Sequence, residues 1–273
     1  MIDLAPNHKI GLSVPNPILL AGGTVGYGEA AHKAIQPQLL GGVVIGPITH
    51  HSRTGVSSSR LAETHGGMVL NTGLQNRGVS AVIKRFSSLW PKLGCPVIAQ
   101  VADSEPHAVE KVVQHLERVA SIDGLELLPP RDVGTHQLTT LIHAASRQSD
   151  LPIWVKLPLL ESVRLAEVAA EAGVSAFVIG QPNIGAGFHQ KFNKVITGKL
   201  FGPSTFPSML AELAAIATEK LPCALIACGG IHTIDQVHQA LRCGAHAVQI
   251  DSVAWIEPGL PAHLVQGLTK ATL

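Results

Sequence analysis

Apolar residues in this chain gather into eight short runs, at 17–20, 42–46, 96–101, 124–128, 152–157, 176–179, 225–228 and 247–250. The runs are rich in Val, Ile and Leu with few polar interruptions, which is how parallel strands covered on both faces read. Between them lie segments with helical spacing. The clearest is 105–120, where Val109, Val112, Val113 and Leu116 share one face. Helices are expected likewise at 29–35, 79–90, 135–147, 160–172, 208–220, 233–242 and 260–268. This alternation predicts an α/β chain of one domain over 1–273, a (β/α)8 TIM barrel whose short N-terminal extra strands close the bottom. An open doubly wound sheet is the alternative, weakened because no G-x-G-x-x-G turn follows the first strand. Two stretches, 49–76 and 180–207, interrupt the pattern as long polar loops, and loops of that length inside a compact domain are usually functional.

Composition narrows the function classes. Hydrophobic residues make up 46% and charged residues 14%, with a net charge of +1. Such a chain has ample core and no basic stripe for nucleic acid. No apolar run approaches the ~20 residues of a membrane span. The first residues, Met1-Ile2-Asp3-Leu4-Ala5-Pro6, lack a basic, apolar leader pattern, so a cytoplasmic location is expected. Cys95, Cys223, Cys228 and Cys243 form no C-x-x-C pair, and the histidines show no metal-binding spacing, so no metal site is signalled.

Barrel geometry then sorts the polar residues, because active sites lie at the C-terminal ends of the strands. Cys228-Gly229-Gly230-Ile231 is a strand running into a tight turn, and Asp251-Ser252 ends the next strand. Two adjacent strand ends with bare N–H groups suit an anion, and the last two units of such barrels are a common phosphate site. A plain βα turn is the competing interpretation. Lys156 ends the strand Ile153-Trp154-Val155-Lys156, inside the mouth. It is expected either to hold charge over an electron-accepting or anionic ligand, or to pair with Glu126 on the neighbouring strand.

These residues carry a resemblance. Asn16-Pro17 with Ala21-Gly22-Gly23-Thr24-Val25-Gly26, Arg60 to Thr64, Gly66-Gly67-Met68, Gly73-Leu74-Gln75-Asn76, Val155-Lys156-Leu157, Gly202-Pro203, Gly229-Gly230-Ile231 and Ala247-Val248-Gln249 resemble segments of the soluble (class 1) dihydroorotate dehydrogenases, flavin enzymes built on an α/β barrel. The resemblance implies FMN, contacted by Ala21, Gly22, Lys156, Gly202, Gly229, Gly230, Asp251 and Ser252. It places substrate-binding groups at Asn71, Gln100, Gln181 and Asn183. It also implies a small-molecule substrate, a homodimer and an electron-transfer partner subunit.

The departures are as informative. Gly46 stands where the family has a lysine, and Asp251-Ser252 replaces a Gly-Thr beside the phosphate, where a carboxylate repels. Most of all, Leu128-Pro129-Pro130-Arg131-Asp132 replaces the family's Asn-x-Ser-Cys-Pro-Asn run, which holds the catalytic base. Replacement candidates are Asp132, His136 and His51. Arg131 is a candidate for gripping a substrate carboxylate, or else a solvated loop charge. The leading expectation is a flavin oxidoreductase acting on something other than dihydroorotate. The alternatives are an authentic dihydroorotate dehydrogenase of pyrimidine biosynthesis with a rearranged site, and a non-catalytic binding or assembly barrel.

Overall fold

The computed structural model describes residues 1–30, 34–159 and 161–270. Two short strands, β1 (Ile2–Asp3) and β2 (Ser13–Val14), pair antiparallel ahead of the barrel. Then come β3 (Ile18–Leu20), β4 (Gly42–Ile48), a hairpin of β5 (Leu61–Thr64) and β6 (Gly67–Leu70), α1 (Val79–Phe86), β7 (Val97–Val101), α2 (Pro106–Leu116), β8 (Gly124–Leu127), α3 (Thr135–Ser146), β9 (Ile153–Pro158), α4 (Ser162–Glu171) and β10 (Ala176–Gln181). A second hairpin, β11 (Ile184–His189) and β12 (Lys194–Phe201), precedes α5 (Phe206–Thr218), β13 (Ala224–Cys228), α6 (Ile234–Arg242), β14 (Ala247–Ile250), α7 (Val253–Ile256) and α8 (Leu260–Lys270). Strands β3, β4, β7, β8, β9, β10, β13 and β14 close into a parallel barrel in chain order, the eightfold arrangement that the apolar runs predict.

Period-two alternation divides each barrel strand between two environments. Outward residues such as Val43, Val155 and Phe177 pack with the helices in the large core. Inward residues form a second core, including Leu19, Val44, Ile98, Trp154, Val178 and Ile226. Leu4, Ala5, Leu12 and Val14 from the N-terminal ribbon join that inner core. Trp154 Nε1 donates to the Leu4 carbonyl at 3.1 Å. The ribbon therefore plugs the bottom of the barrel, as expected.

Two expectations need correction. The stretches 49–76 and 180–207 are not plain loops. Their hairpins join across the chain, with β12 antiparallel to β6, into a four-stranded sheet ordered β11-β12-β6-β5. Ala62, Val69 and Ile196 give this sheet a small core of its own. Its strands are short, glycine-rich and paired over more than a hundred residues, so local periodicity does not reveal them. The expected helix at 29–35 is absent where it is described: Glu29, Ala30, Ala34 and Ile35 lie in turns, and 31–33 fall outside the described residues. Gly26 and Gly28, at φ +60° and +98°, turn the chain in a conformation no helix uses.

Candidate active site

The antiparallel sheet roofs the C-terminal mouth of the barrel and encloses a cavity of about 620 Å³. Its floor and walls come from strand ends, including Gly22, Gly46, Gln100, Leu128, Asp251 and Ser252. Its roof comes from the sheet. Lys199 of β12 pairs with Ile184 of β11 on one side and Leu70 of β6 on the other. All three line the cavity, as does Thr197, two residues along and so on the same face. Trp255 closes one side, its Nε1 donating to the Thr24 carbonyl at 3.0 Å while its ring meets Phe201 edge-on.

Beneath the floor, where the lower barrel is apolar, the next inward layer is polar. Lys156 Nζ donates to Gln249 Oε1 at 2.8 Å, Gln249 Nε2 donates to Glu126 Oε2 at 2.6 Å, and Gln100 Nε2 donates to Glu126 Oε1 at 2.6 Å. Lys156 lies 3.8 Å from Glu126. Both charges are buried, so each needs the other and the two amides. Burial pushes the Lys156 pKa down, but the Cys228, Glu126 and Asp251 side chains outweigh it and the net direction is up. Cys228 itself is pushed up to about 11 by burial, so it is a neutral thiol at neutral pH. The carboxylates therefore hold the Lys156 charge in place.

Sequence-derived candidates fall into three groups. Gly22, Gln100, Asn71, Asp251 and Ser252 meet at the main cavity. Gln181, Asn183, Gly229 and Asp251 line a smaller adjoining cavity of about 60 Å³. There Gln181 Nε2 donates to the Pro129 carbonyl at 2.8 Å, while its buried Oε1 has no partner. The remainder sit elsewhere. Ala21 is buried at the end of β3, its N–H bonded to the Ile250 carbonyl. Lys156 lines neither cavity; the pairing with Glu126 that it was expected to make as an alternative is present. Gly230 packs on its neighbour, since a Cβ there would meet Phe206 N at 2.5 Å and Thr205 Oγ1 at 2.8 Å. Gly202, at φ +121°, abuts Gly66 and Gly67 in the same way. Asp132, His136 and His51 are exposed and line neither cavity. Arg131 is also exposed and donates to Asn183 Oδ1 at 3.1 Å.

Lys199 escapes a reading of the sequence alone. A usable signal was its place in Gly198-Lys199-Leu200-Phe201-Gly202-Pro203, just before the glycine-proline turn. Burial and then the positive charge of Lys156 depress its pKa to about 8. Asp251 moves the other way: burial raises its carboxyl above the ordinary range, while Lys156, His232 and the N–H groups of Ser252 and Asp251 itself pull it back.

A closed parallel barrel with a roofed polar mouth defines a small-molecule enzyme scaffold. The particular family follows from comparison with known proteins. The family model for dihydroorotate dehydrogenase matches residues 6–271, and the chain belongs to that family, whose enzymes are flavoproteins. A Streptococcus pneumoniae protein named dihydroorotate dehydrogenase B (NAD(+)), catalytic subunit, is 29% identical over 283 residues, covering 95% of this chain and 89% of its own. The Exiguobacterium sibiricum protein of the same name is 29% identical over 279 residues, with the same coverage. Among solved structures, DHODH from Eimeria tenella in complex with ferulenol superposes with a TM-score of 0.80 at 19% identity, covering 94% of this chain and 83% of that one, which speaks to the fold. Among the described residues no helix is long and apolar enough to cross a membrane.

Proposed function

We propose that this protein is an FMN-dependent oxidoreductase of the dihydroorotate dehydrogenase type, and that its substrate is dihydroorotate or a close dihydropyrimidine, as in pyrimidine biosynthesis. The observation that carries this is the roofed cavity at the barrel mouth, set over the Lys156–Glu126–Gln249 layer in a chain of this family. The names of its relatives favour dihydroorotate over the other-substrate expectation. Their description as catalytic subunits supports an electron-transfer partner for this chain as well.

The residues present fit a flavin. The cavity has the size of ordinary cofactor pockets. Glycines Gly22, Gly23, Gly46 and Gly198 leave flat walls against which a ring system can lie. A Cβ on Gly22 would collide with Gln100 Nε2 at 2.5 Å, so a larger residue there would displace the Gln100 side chain that forms part of the floor. Ser252 and Gly229 would hold the phosphate end, and Asp251 beside them makes that end less welcoming than a glycine would. When bound, flavin supplies the hydride acceptor.

The chain's own residues do the rest. The roof of Leu70, Ile184 and Phe201 excludes water from one side of the site. Asn71 is held rigid, its Nδ2 donating to the Thr197 carbonyl at 2.9 Å and its Oδ1 accepting from Gly73 N at 3.1 Å. Such fixed amides orient a polar ring. Gln100 lines the cavity floor and is held there by the bond from its amide to Glu126. The test is to purify the protein, record the visible flavin band, and assay orotate formation with artificial electron acceptors. Bound flavin with orotate formation supports the proposal. A colourless protein that cannot be reconstituted with FMN rejects it in favour of a binding barrel.

A further inference from the structure

The loop after β8 offers no base. Leu128, Pro129 and Pro130 carry no titratable group, and Asp132 and His136 are turned to solvent. Among the described residues, the titratable side chains that line the main cavity are Tyr27, Glu29, Lys199 and Asp251. Tyr27 is raised above its ordinary value by burial and its hydroxyl is engaged near Pro47 and Arg77. Glu29 accepts from the Tyr27 N–H at 2.6 Å. Asp251 sits at the β14 end, opposed to Lys156 and shared with the smaller cavity. Lys199 hangs from the roof, and its Nζ makes no hydrogen bond or ion pair with a side chain among the described residues.

We infer that Lys199 is the catalytic base of the site, taking a proton from the substrate carbon that faces the roof. This rests on the proposed function and deepens it. Two features of the geometry support it, and the electrostatics agree. Sheet pairing fixes Lys199 between Ile184 and Leu70, so its side chain is presented to the cavity between apolar neighbours. No carboxylate on β6 or β11 beside it holds it as an ion pair, and among the charged groups below, Lys156 repels its proton. Its depressed proton affinity leaves a working fraction of free amine near neutral pH. The step balances simply. The C–H proton would pass to Nζ, giving the ammonium; a bound oxidised flavin would supply the two-electron acceptor for the hydrogen on the neighbouring carbon, and a C=C bond would form in the substrate. The ammonium then returns its proton to solvent.

Two measurements test this. Competitive acetylation of the flavin-loaded protein, read by mass spectrometry across the alkaline range, should show Lys199 reacting with an inflection at about 8, against ~10.4 for surface lysines. An inflection like that of the surface lysines overturns the inference. In anaerobic mixing with dihydroorotate, flavin reduction should speed up with pH to a plateau and slow by ~10²–10⁴-fold in Lys199→Met. Lys199→Arg, which stays protonated, should be equally slow. Both variants should keep wild-type flavin content. Wild-type reduction rates in Lys199→Met overturn the inference. So does a defect confined to substrate affinity, which would make Lys199 an anchor for a carboxylate. If the wild-type protein binds flavin but dihydroorotate never reduces it, the functional proposal fails and the acetylation profile alone decides the state of the amine.

Discussion

The lower and upper halves of the barrel interior are made by the same strands at the same two-residue period, yet they have opposite chemistry. On β9, Trp154 faces the plug and Lys156, two residues later, joins the polar layer beneath the mouth. On β7 the pair is Ile98 and Gln100, and on β14 it is Ala247 and Gln249. The lower layer buries apolar surface against Leu4, Ala5 and Leu12 and so contributes directly to stability. The upper layer buries Lys156 and Glu126, a pair whose desolvation cancels most of its attraction. A chain selected for stability alone would continue the apolar layer upward. The polar layer marks where the barrel gives up stability for a site.

The contrast can be broken most sharply from below. Trp154→Ala removes a fully buried ring and its bond to Leu4, and should cost about 3–5 kcal/mol in urea unfolding. Any flavin that the folded variant binds should be retained, because the cavity lies a layer above. From the upper side, Glu126→Leu leaves two amides without their acceptor and Lys156 without its paired carboxylate, at a cost of about 3 kcal/mol. Adding Lys156→Met should restore most of that stability, measured in the same titration.

A smaller effect separates the two ends of the cofactor. Asp251→Asn should tighten FMN binding by roughly tenfold, about 1.4 kcal/mol, and leave riboflavin affinity unchanged in fluorescence titrations. In the native protein a bound phosphate would raise the already raised Asp251 pKa further, so binding would take up a proton. FMN affinity should therefore increase as pH falls, and this dependence should vanish in Asp251→Asn. The smallest expected effect is at the loop after β8. Asp132→Ala and His136→Ala are exposed changes that should shift stability by less than about 0.5 kcal/mol and leave flavin reduction unaltered in stopped-flow traces.

What could be seen in the sequence follows from what is local. Each barrel strand is a buried apolar run closed by a turn, and the start of α6 carries its capping box, Thr233 with Gln236, in four consecutive residues. Those patterns sufficed for the barrel, for the mouth as the place of the cavity, and for Gln100 and Asp251 at its strand ends; Asn71 came from the family resemblance. The roof is a different matter. It exists because β12 meets β6, and neither strand has enough residues or alternation to announce the pairing. Lys199 therefore looked like one charge in a polar loop. Lys156 illustrates the complementary limit. Its strand-end position was plain, but whether its ammonium would reach up to a ligand or across to Gln249 and Glu126 depended on side-chain packing inside the barrel.

The direct measurement is to mix flavin-loaded protein with dihydroorotate under anaerobic conditions and follow the visible flavin band. The account predicts that the band bleaches fully, with orotate formed in equal amount. A band that stays oxidised, with dihydroorotate recovered unchanged, would contradict it.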